Sequence, residues 1–290
     1  MKLLDFYHKI VACGAELDPR KKETVSSYAD SAILYGDPAV EVRKMLVGID
    51  IDVGELLIAD KIRKEEGLDL VVAHHPEGRA WAEFYEVMQL QVDLLARVGI
   101  SRKVAQGLLE ERKREVQRKV LPNNHMRSVD AARLLNIPFM CMHTPADNHA
   151  ASFIEVLMSR HKPKKVSDIV DILMSLAEYK DASNQGAGPR VILGNPNRPV
   201  GQVFVEMTGG TEGHKAAFDM LYEKGVRTLI CMHLSEDHFK KVKDANLNVV
   251  IAGHISSDTL GLNLLLDKVE LEEKFSIIGC SGYRRFSRKN

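Results

Sequence analysis

LDLVVAHHPEG, residues 68–78, joins a run of apolar residues to two adjacent histidines. The run Leu70–Ala73 has no polar face, so it reads as a strand covered on both sides, which is the habit of a parallel sheet. KMLVGIDI (44–51), IPFMCMH (137–143), RVILGN (190–195), QVFVEM (202–207), TLICMH (228–233), NVVIAGH (248–254) and FSIIGC (275–280) repeat the pattern. Helical patterns lie between several of them, as in GELLIADKIRKEEG (54–67), AAFDMLYEKG (216–225) and EDHFKKVKDAN (236–246). Strands alternating with helices predict an α/β fold with mainly parallel sheets. From about residue 80 to 136 the rhythm changes to helices alone, and this stretch reads as a helical insertion. KDASNQGAGPRVILGNPNRP, from Lys180, is rich in turn residues around one short strand and marks a seam.

The chain has 290 residues, 45% of them hydrophobic, enough for one large core or two ordinary ones. Forty basic residues balance forty acidic ones, so no global field steers it to nucleic acid or an anionic membrane. The basic stretches EERKREVQRK (110–119) and YRRFSRKN (283–290) lack interleaved aromatics and read as solvated surface. No apolar run reaches the roughly 18 residues a membrane span needs, and MKLLDFYHKI lacks a signal-peptide core, so the expected compartment is the cytoplasm. Cys13, Cys141, Cys231 and Cys280 form no C-x-x-C pair, which points away from thiolate zinc sites and disulfides.

Metal-competent side chains gather at strand ends, where parallel sheets bind ligands. They are Asp50 and Asp52, His74 and His75, His143 with Asp147, His233 with Asp237, and His254 with Asp258. Imidazoles and carboxylates without thiolates suit a divalent ion such as Zn, Mn, Fe or Ni. Residues four apart in a first helical turn share a face and can grip one ion. Helix capping also explains the aspartates: Thr144 as N-cap, Pro145 as first residue and Asp147 in a capping box, with Ser235 and Ser256 or Ser257 capping the other two helices. It does not explain the histidines. Asp50 and Asp52 read as helix-start residues. TGGTEGHK (208–215) reads as a tight strand-to-helix turn, with anion binding as the alternative.

In order, HHP (74–76), HTPADN (143–148) and GHISSD (253–258) resemble the Nif three-like proteins, a family also known as GTP cyclohydrolase I type 2. YADSAILYGDP (28–38) is similar to the family's tryptophan-aspartate-asparagine segment, and MTGGTEGHKAA (207–217) to its glycine-rich turn. The resemblance implies two α/β lobes around a central metal site: residues 1–150 and 247–290 in the metal-binding lobe, with the insertion at about 80–136, and 151–246 in the second. It implies a dinuclear centre held by His74, His75, Asp147, His254 and Asp258, with two divalent ions of Zn, Fe, Mn or Ni. It also implies a homo-oligomer, commonly a toroidal hexamer. The chain departs from the pattern at Asp258, where the family has glutamate, at Tyr28 for tryptophan, and at Cys231-Met232-His233, where many members have Thr-Gly-Glu.

Such a site implies metal-dependent hydrolysis of a nucleotide or related small molecule, of cyclohydrolase or phosphoesterase type. His233 is the candidate proton shuttle; His149 and His238 lie at helical positions with no evident reason to face the site. The rival function is a metal carrier or regulatory protein-binding module without catalysis of its own, for which a closed ligand shell would speak. Nucleic-acid and membrane partners are not expected.

Overall fold

The structure, a computed structural model, describes residues 1–20, 25–271 and 273–288. In chain order the elements are α1 (Leu3–Leu17), β1 (Ala32–Tyr35), β2 (Lys44–Gly48), α2 (Val53–Glu66), β3 (Leu70–Ala73), α3 (Gly78–Ala82), a 3-10 helix (Phe84–Leu90), α4 (Gln91–Arg97), α5 (Arg102–Val120), α6 (Arg127–Leu135) and β4 (Phe139–Cys141). There follow α7 (Thr144–His161), α8 (Val166–Leu173), α9 (Ala177–Asn184), β5 (Arg190–Leu193), β6 (Gln202–Glu206), α10 (Ala217–Glu223), β7 (Val226–Cys231), α11 (Glu236–Asp244), β8 (Asn248–Ile251), α12 (His254–Val269) and β9 (Ser276–Cys280).

Among the described residues these strands make two sheets, ordered β1-β4-β3-β2-β9 and β5-β8-β7-β6. Every pairing is parallel except β1 with β4 and β5 with β8. The first four strands of one sheet and the four of the other therefore follow one topology, each running into a long helix, α7 or α12. Residues 247–290, grouped by the sequence with the first lobe, serve both sheets. β8 pairs with β7 and β5, whereas β9 pairs with β2, and α12 carries the chain between them. The eight apolar runs are β2 to β9. β1, AILY, a short antiparallel edge strand, was not foreseen, although its four residues are apolar.

Both faces of the first sheet are covered, as its unbroken apolar strands require. Met45, Val47, Leu70 and Val72 face α1 and α12, while Leu46, Val71 and Phe139 on the other face meet α2 and α6. Fully burying one such Leu or Val side chain contributes about 1.5–3 kcal/mol. The insertion behaves differently. Its residues Phe84, Met88, Leu94, Leu109 and Val116 share a core with Phe204, Phe218 and Leu229 of the second sheet and its helix α10. The part from Phe84 to Val120 leaves the chain next to β3 yet packs on the other lobe, while α6 returns to the first sheet. EFYEVMQLQVDLLARVG, expected as one α-helix, is a 3-10 helix followed by α4. Its buried Phe84, Val87 and Leu90 recur every three residues, the period that a 3-10 helix puts on one face.

The basic tail is neutralised rather than solvated: Arg284 pairs with Asp181, Arg285 with Asp267 and Glu270, and Arg288 with Glu178. Its last residues, Lys289 and Asn290, lie outside the described residues. No helix among the described residues is long and apolar enough to cross a membrane.

Helices α7 and α12 cross at very short range. A Cβ added to Gly261 of α12 would lie 2.4 Å from the Ala146 carbonyl oxygen of α7 and 3.4 Å from the Ala150 methyl. Gly261→Ala should therefore force the helices apart and cost about 1–3 kcal/mol. An unchanged denaturation midpoint would show that the crossing is soft. His149, buried on α7, donates from Nδ1 to the Pro145 carbonyl, and burial lowers its pKa to about 4. Its folded-state pKa lies below the unfolded value, so stability is full above about pH 6.5 and falls as the pH drops toward 4, by about 3 kcal/mol. His149→Met should flatten that limb of the stability profile; an identical acid limb in the variant would exclude His149 as its source.

Candidate metal centre

β3 ends at Ala73, but the next two residues keep the ladder: His74 N donates to Gly48 O at 2.8 Å and His75 N to Ile49 O at 3.0 Å. The two imidazoles therefore stand on a fixed backbone, with ring centroids 5.3 Å apart. His74 donates from Nδ1 to Met142 O at 3.2 Å and His75 from Nδ1 to Asp50 Oδ1 at 2.7 Å, so each turns Nε2 inward toward the cluster. Such outer hydrogen bonds fix tautomer and ring orientation in metal sites.

The aspartates come from the first turns of α7 and α12, brought together by the Gly261 crossing. His74 Nε2 lies 3.4 Å from Asp147 Oδ1 and 3.5 Å from Asp258 Oδ1. His75 Nε2 and His254 Nε2 lie 3.4 and 3.6 Å from the other Asp258 oxygen, Oδ2. All five residues inferred as ligands from the resemblance thus meet in one place. His143 joins them: its Nε2 is 3.6 Å from Asp147 Oδ2 and its Nδ1 donates to the buried Asp30 carboxylate at 2.8 Å. The sequence reading placed His143 at this strand end but left it out of the ligand set. The available signal was its i, i+4 relation to Asp147, the same as that of His254 to Asp258.

Capping does not account for these aspartates. α7 is capped at His143, not Thr144, whose hydroxyl instead donates to Asp30 Oδ2 at 2.6 Å. α12 is capped at Gly253, and Ser257 donates its hydroxyl to the Gly253 carbonyl. Asp147 Oδ1, both oxygens of Asp258 and His74 Nε2 are buried without a hydrogen-bond partner. Leaving several polar atoms buried and unpaired in one spot costs several kcal/mol, unless a cation sits among them. The residues fit a metal: His74, Asp147 and Asp258 form one group, His75, His254 and Asp258 a second, and His74, His75 and His143 a third, with ligand atoms within 4.8 Å in each.

The third histidine-aspartate pair is different. Asp237 is exposed and pairs with Lys215 at 3.6 Å, a first-turn acid on α11. His233 stands half-exposed at the mouth of the cluster, its ring centroid 4.8 Å from that of His254 and its Nδ1 3.9 Å from Glu212 Oε1. Asp52 caps α2 in a capping box with Glu55, as a helix-start residue should. Asp50, read the same way, instead orients His75. His238 bonds to Ser235 and the Gly213 carbonyl, away from the cluster. In TGGTEGHK, Gly209 and Gly210 have φ of +101° and +84°, and the segment is a turn that reaches α10 only at Ala217. The YADSAI and HTPADN segments meet beneath the cluster, where Asn148 donates to Tyr28 Oη and Asp18 and accepts from Thr208.

Electrostatics bind the cluster together. Burial alone would raise the Asp258 carboxyl, but the charge of the facing His74 imidazole, with His75 beside it, holds it below the usual carboxylate range. Burial opposes charge on His75 as well, yet the facing Asp258 and the hydrogen-bonded Asp50 raise it to about 9, and His74 is raised likewise by Asp258 and Asp147. Two further carboxyls nearby are lifted to about 7 by burial, Glu77 and Glu206. A small cavity of about 40 Å³ beside the cluster is lined by His143, Glu206, Glu212, His233 and the two aspartates, room for water next to the histidines.

A two-sheet α/β protein with a buried histidine-aspartate cluster able to bind metal is the class that this fold and site define. No protein-family model and no curated protein matches the chain by sequence. Among solved structures it is similar to a NIF3 superfamily protein from Sphaerobacter thermophilus, at 26% identity and a TM-score of 0.77 over 94% of this chain and 97% of that one. It shares its fold with reduced HcgD from Methanocaldococcus jannaschii, at 15% identity and TM-score 0.59 over 96% and 97%. Staphylococcus aureus protein SA1388 also has the fold, at 12% and 0.53 over 97% and 96%. Over nearly its whole length the chain is thus similar in fold to a NIF3 superfamily protein.

His74 and His75 hold their protons at neutral pH in the metal-free protein, so a cation must displace them. Zinc binding to chelator-treated protein at pH 7 should release about two protons per chain, fewer as the pH approaches 9. A titration in weak buffer with an indicator dye checks this; uptake of zinc without proton release would mean that these imidazoles are not ligands.

Proposed function

We propose that the protein is a metal-dependent hydrolase acting on a nucleotide or related small molecule, with two divalent ions in the centre. The observation that carries this is the placement of Asp258: its two unpaired oxygens face different histidines, Oδ1 toward His74 and Oδ2 toward His75 and His254. A carboxylate so shared suits a bridge between two ions, one with His74 and Asp147, the other with His75 and His254. The resemblance implies the same five ligands. Asp258 is one methylene shorter than the family's glutamate, and the close α7–α12 crossing supports its reach by bringing the helix inward.

Ions held there would lower the pKa of water toward neutrality and draw charge from a substrate oxygen. The chain's own groups do the rest. Asp50 and Asp30 hold the rings of His75 and His143 in orientation. His233, with Nδ1 toward Glu212, has Nε2 to exchange a proton with a leaving group at the mouth. Glu206, poised near neutrality at the small cavity, can take a proton from the attacking side. The cavity keeps a place for water, which favours catalysis over a closed carrier site. The resemblance also implies a toroidal hexamer, and exposed Leu57 and Ile58 on α2 and Leu134 on α6 support an assembly face.

Elemental analysis of protein purified without chelator should give about two ions per chain, falling to one in Asp147→Ala and to none in Asp258→Ala. Equal metal content in all three would remove the proposed bridge. His233→Ala should keep its metal and lose roughly 100-fold in turnover of the nucleotide or phosphoester found by screening; full turnover would make His233 a bystander.

A further inference from the structure

We propose that the cavity of about 470 Å³ between the cluster and the helical insertion seats an uncharged planar nitrogen heterocycle, a nucleobase or nucleoside, on Trp81 and Phe84. The proposal takes the hydrolase reading as its frame and names the part of the substrate that the insertion recognises.

The floor of the cavity is aromatic. Trp81 and Phe84 lie with centroids 5.4 Å apart and ring planes at 28°, and Phe84 meets His143 at 5.7 Å with the rings tilted by 51°, so an aromatic surface leads up to the cluster. A ring laid on it would present its reactive end to His75, His143 and His254, which line the same cavity. The same lining includes the hydrogen-bonding residues Glu77, Asn124, His125 and Ser128, suited to the polar edge of a nitrogen heterocycle. The volume lies within the roughly 300–1,000 Å³ usual for small-molecule sites.

The lining offers a phosphate chain no free arginine or lysine. Asp50, Asp52 and Glu77 line the cavity with five histidines and one guanidinium, Arg127, and that is already paired with Asp52 at 3.2 Å. No lysine lines it. The cavity owes its walls to the insertion, which is tied to the facing loop. Gln91 donates to Gly209 O and Thr211 O at 2.8 and 2.7 Å, and Arg112 to Glu212 O at 3.0 Å. A Cβ at Gly210 would lie 2.9 Å from Val87 Cγ1, so the loop is seated directly on the 3-10 helix.

Trp81 is the one tryptophan in the chain, so its emission reports occupancy of this cavity. Chelator-treated and zinc-loaded protein would each be titrated with guanosine, adenosine and GTP. The nucleosides should quench Trp81 saturably in both forms, and GTP should bind the metal-free form no more tightly than guanosine. By calorimetry, Trp81→Phe should keep nucleoside affinity within about threefold, and Trp81→Ala should lose about tenfold or more. Asn124→Ala, at an exposed position, should lose about fivefold and serves if Trp81→Ala fails to fold. No saturable quenching by either nucleoside overturns the proposal, as does GTP binding the metal-free protein tenfold more tightly, or unchanged affinity in folded Trp81→Ala or Asn124→Ala. Loss of nucleoside binding with phosphoester hydrolysis intact would sink this seat alone. Binding without any hydrolysis would leave the seat standing and sink the hydrolase reading.

Discussion

The approach of α7 to α12 at Gly261 is the constraint on which the rest depends. Asp147 and Asp258 each sit in the first turn of one of these helices, and neither has a hydrogen-bond partner for its inward oxygens. Two carboxylates this close repel and desolvate each other, so the helices would not cross here on electrostatic grounds. Packing of Gly261 on Ala146 and Ala150, and the burial of Leu262, Leu265 and Leu266 behind it, outweigh that repulsion. The core thus holds an arrangement of charge that the charges themselves disfavour, and the histidines from β3 make it tolerable by sharing their protons.

The repeat in topology explains why a histidine and an aspartate four apart recur after strands. The strand that pairs with the antiparallel edge strand, β4 in one sheet and β8 in the other, feeds a helix whose first turn faces the same centre. The two helix starts are equivalent places in equivalent halves. The third occurrence, after β7, stands where the first sheet has β3 and its double histidine, and there His233 reaches the mouth of the site rather than its interior.

Much of this was legible in the residues. Apolar runs identified β2 to β9, most clearly β2, β3, β4, β7 and β8, whose residues are largely buried. β1 is apolar too, but the segment around it was read for its resemblance alone. The five residues inferred from order and resemblance are brought together in the cluster. What escaped notice were partners at long range in sequence. Asp30 under His143 and Asp50 under His75 are separated from them by 113 and 25 residues, and no local period links a carboxylate to an imidazole across a sheet. The capping account of Asp147 failed because Thr144 had a stronger acceptor in Asp30 than any backbone group could compete with. The insertion was legible as helices, but its attachment to the other lobe was not, because amphipathic helices do not say which apolar surface they cover.

The path of α12 has a consequence for synthesis on the ribosome. β2 lacks its β9 neighbour, and the aspartate between His74 and His75 is missing, until residues beyond 250 have been made. A nascent chain up to β8 already displays His74, His75 and Asp147, but without the helix that buries them. Completion of the cluster and the closing of the first sheet are one late event, since strand pairing across more than 200 residues of sequence waits until β9 has been made.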